Sequence, residues 1–163
     1  MRCTHEGLIR SVVVAFVMLV ELLLAGGCTT FNHEWANAAK GPVPTDSVLG
    51  RWEGTWLSEV NGHNGNLRCL ITLKKDGTYN ARFHAIYRKV IGFGYTVPLD
   101  LTQTNGVFEF RGHANLGWWA GGVYYYEGHA QKADFFSTYR CKYDHGIFQM
   151  TRPTQGQRNR KPR

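Results

Sequence analysis

From Leu49 to Arg152, apolar and polar residues alternate in short runs separated by glycine-bearing turns. Successive side chains of a strand point to opposite faces, so a two-residue period predicts strands with one face toward a core. The first strand, about Leu49 to Ser58, sets Trp52, Gly54 and Trp56 against Arg51, Glu53 and Thr55. NGHNGN supplies turn residues, and a second strand, Leu67 to Lys74, directs Leu67, Cys69, Ile71 and Leu73 one way. The Asp-Gly of KKDGT is a tight-hairpin signal. The third strand, Thr78 to Arg88, alternates most cleanly: Tyr79, Ala81, Phe83, Ala85 and Tyr87 against Asn80, Arg82, His84, Ile86 and Arg88.

The fourth strand, about Phe93 to Thr102, groups Tyr95, Val97, Leu99 and Leu101. Pro98 cannot donate to a ladder, which predicts an edge or a bulge there. The fifth, Val107 to Ala114, faces Phe108, Phe110, Gly112 and Ala114 inward. The sixth, Val123 to Ala130, has no assignable face, because Tyr124, Tyr125 and Tyr126 run together. The seventh, Ala133 to Tyr143, points Phe135, Ser137, Tyr139 and Cys141 inward, and the eighth, Ile147 to Arg152, does the same with Phe148, Met150 and Arg152. Eight short strands joined by tight turns predict an all-β fold, an eight-stranded antiparallel up-and-down barrel whose closure removes both exposed edges. A two-sheet sandwich is the alternative, and it calls for longer crossing connections than these turns provide.

Ahead of the strands the pattern changes. Arg2 and Arg10 precede an apolar stretch from Val12 to Ala25, and small residues follow it. That order predicts an export signal over residues 1–27. The stretch is shorter than the ~20 residues of a spanning helix and contains Glu21, which weighs against a retained helix. Residues 28–47 are small and polar, with Gly41, Pro42 and Pro44, and read as a flexible linker. The barrel occupies residues 48–153. The tail, 154–163, carries Arg158, Arg160, Lys161 and Arg163 with no acid and no large apolar side chain, so it reads as disordered. The net charge is +7, and removing 1–27 leaves it unchanged, since Arg2 and Arg10 balance Glu6 and Glu21. A basic tail suits anionic lipid or envelope polymers, and an export signal argues against a nucleic-acid partner.

Two resemblances sharpen this reading. LLLAGG before Cys28 resembles the lipobox of bacterial lipoproteins, which implies acylation of Cys28 and a mature chain tethered to membrane lipid. Thr29 resembles outer-membrane sorting, so the implied location is the cell envelope, facing the periplasm where the host has two membranes. An ordinary secretory signal remains the alternative. Gly50-Arg51-Trp52 on the first strand, with Arg152 on the last, resembles the calycin barrels, among them the lipocalins. That likeness implies that Trp52 closes one end of the barrel and Arg152 packs over its ring. No T-D-Y motif accompanies it, so the likeness is lipocalin-like rather than lipocalin. The paired GW and the stretch from Tyr143 to Pro153 also resemble a group of exported bacterial lipoproteins.

Chemistry-bearing residues are few. Cys69 and Cys141 share inward parity, which leaves a disulfide and two buried free thiols as alternatives, with no metal spacing around them. His84, His113 and His129 face outward, where solvent exposure is expected. Asp144-His145 sits in a turn and lacks a nucleophile partner in the pattern, and no G-x-S-x-G or H-E-x-x-H occurs. The expectation is therefore no enzyme and no cofactor. Trp56, Tyr79, Phe83, Tyr95, Phe108, Phe110, Phe135 and Tyr139 are candidates to line a cavity for a small apolar molecule, with a filled core as the alternative. A protein-binding, inhibitor-like module that works through NGHNGN, NLGWWAGG or its outer wall is the second functional reading, its partner an envelope protein.

Overall fold

The computed structural model of the chain describes residues 30–44, 46–88 and 91–154. The expected leader, Cys28 and the basic tail beyond Thr154 lie outside the described residues. Eight strands follow in order: β1 Gly50–Ser58, β2 Asn64–Leu73, β3 Tyr79–Tyr87, β4 Ile91–Thr104, β5 Val107–Asn115, β6 Val123–Gln131, β7 Asp134–Arg140 and β8 His145–Thr151. Each pairs antiparallel with the next, and β8 returns to β1 to close the barrel. The expected all-β up-and-down barrel is therefore what forms, and it is compatible with a lipocalin-like fold. The turns follow from local chemistry. Thr78 N–H donates to the Asp76 carboxylate at 2.9 Å in the β2–β3 hairpin, and Asn105 and Gly106 both take positive φ in the two-residue β4–β5 turn.

Alternation places the core as the pattern predicts. Leu67, Cys69 and Ile71, then Ala81, Phe83 and Ala85, then Val97 and Leu99, are all buried. The ambiguity of β6 resolves: Tyr126 is buried and Tyr124 half-buried, both toward the interior, while Tyr125 faces out, 50% exposed. Pro98 also finds its reason. β4 pairs with β3 from Ile91 to Leu99 but with β5 only from Leu99 to Thr104. Pro98 thus sits just beyond the last β4–β5 pair, where the strands part and a missing donor costs nothing. Gly112 permits the approach at that fork, because a Cβ there would lie 2.5 Å from the Pro98 carbonyl oxygen.

One end of the barrel is sealed. The Arg152 guanidinium lies 3.8 Å from the centre of the Trp52 ring. It donates to the carbonyls of Leu49 at 2.6 Å and Arg51 at 3.3 Å, and to that of Ser47. The Trp52 indole N–H donates to Val48 O at 2.8 Å. Gly50, at φ 95, turns the incoming chain so that these carbonyls converge on the arginine. Burial lowers the Arg152 pKa to about 10, which leaves it protonated at neutral pH.

The segment read as a flexible linker departs from expectation. Residues 30–38 form a helix, α1, packed on the outer wall of β1, β2 and β3. Phe31, 2% exposed, stacks on His84 with ring centres 5.1 Å apart. Arg68 lies over both Phe31 and Trp35, and Arg51 lies 5.1 Å from the centre of the Trp35 ring. Glu34 pairs with Arg82 at 2.6 Å, and Arg68 donates to Asn32 at 3.0 Å. The correction has a plain cause: Phe31 and Trp35 are four residues apart and so share one helical face, and the wall beneath offers three arginines. It also corrects His84, which points outward from β3 yet is 7% exposed, covered by the helix. His113 and His129 are exposed as expected.

Candidate functional site

The sealed half of the barrel is solid. Phe110 and Phe135 stack at 4.8 Å, Trp52 meets Phe135 at 5.4 Å, and Phe108 and Met150 close the remaining space. Cys69 is fully buried there, and burial pushes its thiol pKa well up. The opposite half is not filled. Inside the barrel, at the end that carries the β5–β6 and β7–β8 loops, lies a cavity of about 130 Å³. Trp56, Ala85, Phe93, Tyr95, Leu116, Tyr124, Tyr126, Tyr139, Asp144 and Phe148 line it. Phe83 lies just beneath, with its ring 5.3 Å from Tyr95 and 5.5 Å from Phe148. The parting of β4 from β5 leaves the wall beside Phe93 and Tyr95 without a neighbour strand on that side.

The polar groups of this mouth are organised around one carboxylate. Asp144 accepts from the Ser58 hydroxyl at 2.6 Å and from the Tyr139 hydroxyl at 3.2 Å. The chain is held there by Cys141 N–H, which donates to Asp144 O at 2.7 Å and forms the β7–β8 turn. Burial raises the pKa of Tyr95, Tyr124, Tyr126 and Tyr139 above the ordinary phenol value, so all four keep their protons at neutral pH. Trp56 brings a different feature: its indole nitrogen is buried and has no hydrogen-bond partner among the described residues. An unpaired buried N–H costs ~1–3 kcal/mol, and this one lies against Gly65 of β2. Asp144 and His145 do not form a dyad, because the Asp144 oxygens are taken by Ser58 and Tyr139 while His145 is exposed.

The cavity candidates divide. Trp56, Tyr95 and Tyr139 line the mouth, as their parity suggested. Phe83 lies under it in the core, Phe108, Phe110 and Phe135 belong to the solid half, and Tyr79 is half-buried at the sealed end. For these the filled-core alternative is the outcome. Tyr124, Tyr126 and Asp144 were not foreseen as lining residues. A triple tyrosine hides its own parity, and a turn aspartate gives no sign that it bends inward. The signal available for Asp144 was its position beside the inward Tyr139 and Phe148. The disulfide alternative fails: both cysteines are free. β7 ends at Arg140 rather than Tyr143, so Cys141 lies in a turn at the open end, half-buried. Cys69 pairs across from Trp52 in the solid half.

Among the described residues no group of three or more His, Cys, Asp or Glu could hold a metal ion, and no helix is long and apolar enough to cross a membrane. A larger groove on the outer wall, lined by exposed side chains such as Asp100, Glu109, Arg111 and Glu127, is shallow and open to water. No protein family, no curated protein and no solved structure matches the chain.

Proposed function

We propose that this is a lipid-anchored, non-catalytic binding protein of the cell envelope, which holds a small and mostly apolar molecule at the open mouth of its barrel. The observation that carries the binding reading is the contrast between the two halves. One packs Trp52, Phe110 and Phe135 ring against ring, and the other keeps a cavity of about 130 Å³ walled largely by aromatic rings. Apolar pockets with a few convergent polar groups suit amphipathic ligands. A ring or short chain sits among Tyr95, Tyr126 and Phe148, and a hydroxyl or amine donates to Asp144. Anchoring rests on LLLAGG before Cys28, whereas the lipocalin-like likeness of Trp52 and Arg152 bears on the barrel alone. Acylation at Cys28 adds ~0.8 kcal/mol per buried methylene, enough with several chains to hold the protein at a membrane.

Native mass spectrometry of the full chain, released from mild detergent, tests the binding reading. The expected result is a retained small molecule that Ala85→Leu expels, because leucine at this cavity-lining position occupies the space the ligand needs. An empty barrel in both proteins overturns it and leaves the loops, acting on an envelope protein, as the working surface. Anchoring is tested separately: Cys28→Ala abolishes lipid labelling and globomycin-sensitive processing, and labelling that persists contradicts it.

A further inference from the structure

The two ends of the barrel differ on their outer surfaces as much as inside. The turns of the sealed end are mainly polar, with Lys74, Lys75, Asp76, Asn105 and Lys132 exposed beside Leu73 and Val43. The rim of the open end instead exposes apolar side chains: Trp118 at 91%, Trp119 at 76%, Tyr143 at 66%, Ile91, Val60 and Phe93. The tryptophan pair is held outward by a fixed loop. Leu116 N–H donates to Gly122 O and Gly122 N–H to Gly117 O, each at 2.9 Å, and Gly117 N–H donates to the Asn115 side chain at 3.0 Å. Gly117, Gly121 and Gly122 all take positive φ, a conformation that glycine adopts without strain. The loop backbone therefore carries both residues outward in a defined conformation.

Cations accompany the rings. Arg88 lies over Tyr87, Arg140 over Tyr125 and Lys142 over Tyr143, at 5.4, 5.6 and 5.1 Å from the ring centres. Of the nearby acids, Asp144 is turned inward to Ser58 and Tyr139, which leaves Glu59 facing water. Tryptophan and tyrosine belt the boundary between hydrocarbon and water, and basic residues beside them are drawn to anionic headgroups. We infer that the open rim is a membrane-contacting face that seats Trp118 and Trp119 in the interface of an anionic bilayer. The course of α1 agrees: it runs from the level of His84 to that of Gly50, so its N-terminal end faces the open end. The rim argument stands without acylation of Cys28 and without a ligand in the cavity.

The test uses the full chain reconstituted in phosphatidylcholine vesicles with and without phosphatidylglycerol, with either plain or brominated acyl chains. Bromine quenches an indole only at close range. The expected result is quenching on brominated vesicles that is stronger with phosphatidylglycerol. Most of that loss disappears in W118A/W119A, while R88E/K142E reduces it to the level seen on phosphatidylcholine alone. Both substitution pairs lie at exposed positions, and a thermal melt matching that of the parent protein confirms their fold. Emission that is the same on brominated and plain vesicles overturns the inference. Quenching that persists in W118A/W119A also overturns it, because lipid contact then lies with Trp35, Trp52 or Trp56.

Discussion

Arg152 shows how one residue can hold two chain ends together. Its ring contact with Trp52 supplies ~0.5–2 kcal/mol, and its three carbonyl acceptors tie the segment before β1 to the end of β8. Arg152→Ala leaves those carbonyls unpaired and a gap over the indole, so urea denaturation should show a loss of ~2–4 kcal/mol. Arg152→Lys should recover less than half of that, because an ammonium cannot span three acceptors as the planar fork does. This pair was legible in the pattern, since parity sends both residues inward and first and last strands meet on closure. The cysteines show the limit of the same logic. Parity assigns a face but not a height, and only the register reveals that Cys69 lies in the sealed half and Cys141 in a turn at the mouth.

Among the elements, the strands follow from their alternation, and their observed ends differ from expectation by a few residues. The helix was obscured because its signal is two aromatics, Phe31 and Trp35, in a stretch otherwise dominated by small and polar residues. Its docking is testable. Phe31→Ala removes the ring between His84, Arg68 and Arg82 and should cost ~2–4 kcal/mol of helix protection, read by hydrogen exchange of residues 30–38 while the strand amides stay protected. Docking should also depend on pH. Burial first, then Arg68 and Arg82, lower the pKa of His84. The undocked state therefore takes up the proton at higher pH than the docked state. Docking stability is fully present above roughly pH 6.5 and falls as the pH drops from there toward the lowered value. Smaller protection factors for residues 30–38 at pH 5.5 than at pH 7, after correction for the slower intrinsic exchange in acid, are expected, and His84→Phe, which keeps the stack on Phe31, should flatten that difference.

At the scale of the whole molecule, the protein is polar in both senses: one end solid and tied shut, the other hollow and ringed by aromatics. Barrel closure was legible because eight alternating strands with short turns have few other ways to satisfy their edges. The hollow was not, since whether inward rings interlock or leave space depends on distances that alternation does not carry. The five tryptophans report on these places separately: Trp35 on α1, Trp52 in the sealed end, Trp56 at the cavity, Trp118 and Trp119 on the rim. Titrating the ¹⁵N-labelled full chain with p-cresol, a ring bearing one hydroxyl, and following the five indole N–H resonances tests the central claim most directly. A saturable shift of Trp56, with Trp52 unmoved and the effect abolished by Ala85→Leu, is the predicted result. A shift centred on Trp52, or a Trp56 resonance that never moves, contradicts the account.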